Sequence, residues 1–205
     1  MTIEFIYFDL GMVLIKFSVE RMLRQVGIVA SLEPAQVREI LFGSNLHERY
    51  EVGELSTQEY YEAFCQATQR RPTCESLTHA ASDIFEMNTS MIAVVAQLRA
   101  AGYRLGILSN TCEAHWQFCY QHYRILRECF HVYALSYELK AVKPQPAIFH
   151  QAARLAGVAP EKIFFTDDIA GHVAGACTAG FHAVQYLSTP QVVAALHESG
   201  VGFNY

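Results

Sequence analysis

Phe5-Ile6-Tyr7-Phe8-Asp9-Leu10-Gly11-Met12 is the stretch from which the rest of the chain can be read. Four consecutive apolar residues predict a strand buried on both faces, the situation of a parallel sheet covered by helices. An acid follows at once, and Leu10-Gly11-Met12 reads as a turn. Ionised carboxylates are costly to bury, so one at a strand tip is there to bind or to react. Open α/β sheets take their ligands at that end of the strands. Moving outward, three further groups stand at comparable places: Ser109-Asn110-Thr111 after Leu105–Leu108, Lys143 just before Pro144, and Asp167-Asp168 after Ile163-Phe164-Phe165. Acid, hydroxyl, lysine and acid pair, in that order, describe a reaction site spread over one sheet.

Short uninterrupted apolar runs predict strands at Ile3–Phe8, Tyr103–Leu108, Val132–Ser136, Lys162–Thr166 and His182–Leu187. Between them lie helical patterns. Met91, Val94, Val95, Leu98 and Ala101 share one face and end at Gly102; Ile148, Phe149, Ala152, Ala153 and Ala156 share another and end at Gly157. The alternation predicts a doubly wound α/β fold. Residues 16–87 break it, with no convincing strand over a length far beyond a βα loop. Helix signals fill that segment, including a capping box at Ser56-Thr57-Gln58-Glu59. The expected organisation is therefore a core of residues 1–15 and 88–205 with residues 16–87 inserted as an α-helical cap over the carboxyl edge. Two independent domains are the alternative, and they would separate the first strand from its sheet.

Composition excludes several function classes. Of 205 residues, 52% are apolar and 17% charged, and the net charge is −5, so no electrostatic footprint for nucleic acid is expected. No apolar run approaches the length of a membrane span, and Glu4 and Asp9 stand where a signal peptide needs a basic start and an apolar stretch. The six cysteines form no CxxC and no zinc spacing. They read as reduced thiols, which places the chain in the cytoplasm. A monomer or homodimer is expected. Gly171, Gly175 and Gly180 form no dinucleotide fingerprint and read as close-packing and C-cap glycines. Lys140 is assigned to solvent, and Trp116, Phe118 and Tyr120 to the core or the cap interface.

The four motifs Phe8-Asp9-Leu10-Gly11-Met12-Val13, Leu108-Ser109-Asn110-Thr111, Lys143-Pro144-Gln145-Pro146 and Phe164-Phe165-Thr166-Asp167-Asp168, taken in order, resemble those of the haloacid dehalogenase superfamily, and the resemblance runs over essentially the whole chain. It implies a hydrolase of small phosphorylated molecules. Asp9 would be the nucleophile, and a carboxylate ionised at neutral pH can attack phosphorus without a base. Asp9, the Gly11 carbonyl and Asp168 would hold Mg²⁺ directly, with Asp167 acting through water. Mg²⁺ suits a site of hard oxygens that retains several waters, and three clustered acids repel one another without a cation. Lys143 would compensate the charge of Asp9 and the phosphoryl group. Ser109 and Asn110 would bind phosphoryl oxygens at the start of the Glu113–Tyr123 helix, whose free N–H groups favour an anion; a plain N-cap is the alternative there. His47, with Arg49, Tyr50 and Glu51, is a candidate specificity residue of the cap, and His115 could reach the leaving group. Solvated cap surface and a packed core histidine are the competing readings.

The sequence departs from the family at Gly11, where most such phosphatases carry a second aspartate that protonates the leaving group. Losing a general acid costs about 10²–10⁴-fold in rate. Asp-Leu-Gly also resembles the sugar-1-phosphate phosphatase branch, so a sugar 1-phosphate or another activated phosphate is the expected substrate. Two alternatives remain: a 2-haloacid dehalogenase, which needs no metal and which the Asp167-Asp168 pair disfavours, and a phosphate-binding protein that has lost turnover.

Overall fold

The computed structural model describes residues 2–205. In chain order the elements are β1 (Phe5–Phe8), β2 (Ile15–Phe17), α1 (Val19–Ala30), α2 (Pro34–Arg38), a π-helical turn (Glu39–Gly43), α3 (Leu46–Glu51), α4 (Thr57–Thr68), α5 (Cys74–Ser82) and β3 (Phe85–Met87). There follow α6 (Thr89–Ala100), β4 (Arg104–Ser109), α7 (Glu113–His122), α8 (Arg124–Glu128), β5 (Val132–Leu135), α9 (Ser136–Leu139), α10 (Pro146–Ala156), β6 (Ile163–Asp167), α11 (Ala170–Thr178), β7 (His182–Gln185) and α12 (Thr189–Glu198).

Five strands form a parallel sheet in the order β5-β4-β1-β6-β7. The order reverses at β1, whose carboxyl end therefore lies at the topological switch point where such sheets bind ligands. Every residue of β1 is buried, and alternate side chains enter different cores. Ile6 and Phe8 pack with Met91, Val94, Val95 and Leu98 of α6 and with Val192 and Leu196 of α12. Phe5 and Tyr7 pack with Ile148, Phe149 and Ala152 of α10 on the other face. The continuous apolar run thus follows from a strand that has no solvent side.

The helices between β2 and β3 have a third hydrophobic cluster of their own, built on Met22, Leu23, Val37, Leu41, Tyr60, Phe64 and Leu77. The capping box forms at Ser56, whose backbone N–H donates to Glu59 Oε2 at 2.8 Å. One expectation fails here. The segment 16–87 does contain strand: β2 pairs antiparallel with β3, register Ile15↔Met87, Lys16↔Glu86 and Phe17↔Phe85. Three residues per strand are too few for a periodicity to register, and their pairing joins points about seventy residues apart. Lys140 is exposed, as expected, and also makes a contact. It ends α9 in the left-handed conformation and donates from Nζ to the carbonyl of Gly53, tying that helical segment to the sheet domain. Gly53 is at φ +75°, and a Cβ there would lie 2.1 Å from the carbonyl oxygen of Tyr137, so only glycine permits this approach. Gly175 packs closely as expected, a Cβ there meeting Pro144 at 2.9 Å, whereas a Cβ on Gly171 would meet nothing within 4 Å. Trp116 is buried in the first core, with Phe118 and Tyr120 packed against it. Among the described residues no helix is long and apolar enough to cross a membrane, and all six cysteines are free thiols.

Candidate active site

Asp9 leaves the end of β1 with its backbone N–H bonded to Thr166 O at 2.9 Å, so the sheet ladder itself fixes its position. Its carboxylate is buried. Asp167, the last residue of β6, is fully buried, and Asp168 beside it is partly open. Oxygens of the three acids come within 4.8 Å of one another, the one group of three or more metal-capable side chains among the described residues. Lys143 reaches in from the loop before α10. Its Nζ donates to Asp9 Oδ1 at 2.8 Å, Asp167 Oδ2 at 2.6 Å and Leu108 O at 3.0 Å, which occupies all three ammonium protons.

Burial pushes the Asp9 carboxyl up to about 6, against the pull of Lys143 and with the added repulsion of Asp167. Asp168 is also raised, by burial and then by Asp167. Asp167 is shifted down: burial opposes ionisation, but hydrogen bonds from His172 and Lys143 outweigh it. Lys143 is held above its ordinary value, because Asp9 and Asp167 outweigh its own burial. Three carboxylates face one ammonium, and the unbalanced charge matches a divalent cation. The donors are all hard oxygens, the set that suits Mg²⁺. The Gly11 carbonyl accepts from Val13 N at 2.7 Å and keeps one lone pair for a ligand.

Asp167 is braced on every side. Oδ1 accepts from Ile169 N at 2.8 Å, and His172 Nδ1 lies 3.1 Å from both oxygens. His172 is absent from the sequence reading. Its signal was available as a histidine five residues after the acid, in the first turn of the following helix.

The loop after β4 differs from expectation. Both ends of the Asn110 amide are engaged by the Lys143 backbone: Oδ1 accepts from Lys143 N at 2.8 Å and Nδ2 donates to Lys143 O at 3.0 Å. Asn110 thus positions the lysine loop. Ser109 is buried and donates to Asn110 O at 3.3 Å. The N–H groups near the start of α7 are partly taken up as well: Thr111 N donates to Ser136 Oγ at 2.9 Å, and Ala114 N to Tyr50 Oη at 3.0 Å. Cys112 is the N-cap residue, and neither Asn110 nor Thr111 fills that role.

His47, Glu51 and His115 meet beside Gly11. His47 Nε2 is 3.6 Å from Glu51 Oε1, and the two imidazoles lie 5.5 Å apart between centroids. Burial opposes ionisation of Glu51, but the nearby His47 ring, with His115 and Lys143 beyond it, outweighs burial and holds the carboxyl low. His115 sits against Ala81 O, 3.1 Å from Nε2. Burial, with the His47 ring beside it, pushes His115 down to about 4. His115 nonetheless lines the cavity beside Gly11, within the region from which a leaving group could be reached.

This burial has a measurable consequence. The folded His115 binds its proton only near pH 4, whereas the unfolded residue binds it near 6.5. Its contribution to stability is therefore full above pH 6.5 and is lost as pH falls toward 4, on the order of 3 kcal/mol across the window. A His115→Gln protein should lose less stability than wild type between those pH values in urea titrations. Parallel curves for the two would show that His115 protonates freely in the fold.

Comparison with known proteins agrees with this geometry. Residues 8–180 match the model of the haloacid dehalogenase-like hydrolases. A predicted HAD-like family hydrolase from Porphyromonas gingivalis superposes with a TM-score of 0.82 at 26% identity, covering 96% of this chain and 98% of that one. A mutant HAD family enzyme from Bacteroides thetaiotaomicron, in complex with magnesium and inorganic phosphate, superposes with a TM-score of 0.77 at 25% identity, covering 89% and 93%. A glyceraldehyde 3-phosphate phosphatase from Methanopyrus kandleri is 33% identical over 101 residues, 46% of this chain and 41% of that protein, so the chain spans well under half of that relative. With the family model matched from the last residue of β1 to just past α11, the chain belongs to the haloacid dehalogenase-like hydrolases.

Proposed function

We propose that the protein is a Mg²⁺-dependent phosphohydrolase acting on a small phosphorylated metabolite through an aspartyl-phosphate at Asp9, with residues 16–87 as its cap. The observation that carries this reading is the buried Asp9–Lys143–Asp167 cluster with Asp168 at its open side. The magnesium and phosphate bound by the Bacteroides enzyme, and the phosphatase activity named for the Methanopyrus relative, support it.

Asp9 Oδ1 is held by Lys143, and Oδ2 makes no side-chain hydrogen bond among the described residues. Oδ2 is the oxygen free to attack. A new bond forms from it to phosphorus while the ester bond breaks, its electron pair leaving on the alcohol oxygen. Water then attacks the acyl phosphate, releasing phosphate and restoring the carboxylate. Lys143 keeps a positive charge beside the reacting oxygens throughout. Asp9, Asp168 and the Gly11 carbonyl would hold Mg²⁺, with Asp167 acting through water, and the ion would neutralise charge on the phosphoryl oxygens. Both Asp167 oxygens are already engaged, which suits that outer place. Phosphate release from acetyl phosphate should fall about 10²-fold or more with chelator and return with Mg²⁺. Full rate in excess chelator would remove this reading in favour of metal-free chemistry.

Gly11 supplies no acid, so log kcat/KM should fall steeply as leaving-group pKa rises. Gly11 is outside the left-handed region, and a Cβ there is tight only against the Phe17 ring edge at 3.0 Å, with Asp9 Oδ2 at an ordinary 4.0 Å. A small shift of that ring admits a side chain. Gly11→Asp should flatten the slope and improve simple alkyl phosphates most. A flat line already in wild type would mean that another group donates the proton.

A further inference from the structure

A cavity of about 220 Å³ adjoins the one that holds Asp9, and the two share Gly11, Phe17, Glu51 and Asn110 as walls. It opens beside Gly11, two residues from Asp9, and so adjoins the carboxylate that the phosphohydrolase reading makes the nucleophile. Its apolar wall comes from separate elements: Leu10 after β1, Ile15 in β2, Met22 in α1, Phe42 before α3, and Ile84 and Phe85 at β3. Aromatic edges set its shape. Phe42 meets His47 edge-on at 5.4 Å and Phe85 meets His115 at 5.3 Å, the arrangement preferred by aromatic pairs.

Most of its polar groups are committed. Asn110 holds the Lys143 backbone, Ser109 donates to Asn110 O, Thr111 Oγ1 lies 3.5 Å from Cys112 O, and His115 Nε2 lies on Ala81 O. Two groups remain: the Glu51 carboxylate, which faces His47 Nε2 at 3.6 Å, and His47 Nδ1, buried with no hydrogen-bond partner among the described residues. With the Nε2 proton assigned toward Glu51, Nδ1 is an acceptor.

We infer that this cavity receives the leaving group and that the substrate is the phosphate monoester of an apolar, ring-sized alcohol carrying one hydrogen-bond donor for His47 Nδ1. The inference rests on the phosphohydrolase reading and names its substrate class. A dry cavity of about 150 Å³ already holds benzene, so the volume suffices for a substituted aromatic ring. A sugar fits the walls poorly. It brings several hydroxyls, and each one buried without a partner costs about 1–3 kcal/mol. An aromatic alcohol also suits Gly11, because a phenolic oxygen leaves without a proton donor. The sugar 1-phosphate expected from the Asp-Leu-Gly motif is the competing substrate.

The test has two arms. In the first, phosphate release is measured from acetyl phosphate, benzyl phosphate, 3-(hydroxymethyl)benzyl phosphate, glucose 1-phosphate and glucose 6-phosphate, with Mg²⁺ present. Benzyl phosphate and glucose 6-phosphate are both esters of primary alcohols, so their comparison isolates the pocket. The expected result is a kcat/KM for benzyl phosphate about tenfold or more above that for glucose 6-phosphate, while glucose 1-phosphate shows how far leaving-group activation alone raises a sugar ester. The hydroxymethyl ester should gain a further few-fold, and His47→Phe should erase that gain. A preference for glucose 6-phosphate over benzyl phosphate, or equal rates for the two, would overturn the inference. The second arm needs no turnover: binding of 3-(hydroxymethyl)benzyl alcohol and of glucose to the full chain, followed by ligand-observed NMR. Saturable binding of the aromatic alcohol, displaced in a Phe85→Trp or Phe42→Trp protein, supports the inference; binding of glucose alone, or of neither, overturns it. Inert acetyl phosphate beside a bound aromatic alcohol would overturn the phosphohydrolase reading and leave the pocket assignment standing.

Discussion

An Asp9→Asn protein is expected to release phosphate about 10⁴-fold or more slowly than wild type, while unfolding in chelator at the same temperature or a higher one. The first half follows from chemistry: the amide is isosteric, but it cannot form the acyl phosphate. The second half follows from burial. The Asp9 carboxyl is pushed up to about 6 in the fold from 3.8. A carboxyl raised in this way favours the folded state only when protonated, so that contribution is lost as pH rises through 6 and the ionised group is a burden at neutrality. Asparagine carries no such burden, although Lys143 then keeps one carboxylate partner in place of two. Single-turnover phosphate release and thermal unfolding at pH 5 and pH 7.5 check both halves. Turnover within tenfold of wild type would rule out covalent catalysis at this residue.

Lys143→Ala is expected to be severe in a different way. The ammonium is almost wholly buried and serves Asp9, Asp167 and Leu108 O together. Its removal leaves two carboxylates facing each other with no counter-charge, and breaking a buried pair in this manner costs about 3–5 kcal/mol. Rate should fall about 10²–10³-fold as well, the loss typical of a removed electrostatic stabiliser. The two effects separate on titration with Mg²⁺. Added cation should raise the unfolding temperature of the alanine variant more than that of wild type, because it meets a larger charge deficit, while the rate stays low. Equal shifts in both proteins would place the metal away from these acids.

The sheet was legible because its strands are buried on both faces, so β1, β4 and β6 announce themselves as unbroken apolar runs with a reactive group at each tip. Motif order then brought Asp9, Lys143, Asp167 and Asp168 together before any geometry was known. What escaped were relations between distant points. Nothing local to Asn110 says that its amide is matched to the backbone of Lys143, thirty-three residues on. His172 was passed over because one histidine in a helix has no period to stand out from. β2 and β3 are each too short to show alternation and exist only as a pair. The apolar wall beside the acids is assembled from Met22, Phe42 and Phe85, and no spacing rule links those positions. Lys140 is exposed as its setting suggests, but its bond to a main-chain carbonyl is one that no side-chain pattern advertises.

The β2–β3 ribbon has a consequence for how such a protein can change. Phe17 and Phe85 stand opposite each other, their rings 6.2 Å apart, so the chain departs and returns through a single doorway. Whatever lies between need only begin and end one strand-spacing apart. Closing a longer or shorter excursion adds little, since loop-closure entropy grows only with the logarithm of length. A two-residue hairpin turn would suffice to seal the doorway entirely. Asp9 and its partners sit on the other side of it, anchored to strands that the excursion does not build. If the phosphohydrolase reading holds, transplanting a foreign helical segment at this junction should change which molecules are taken while Asp9, Asp167 and Asp168 keep their strand-end places, which makes the ribbon a natural splice point for recombination.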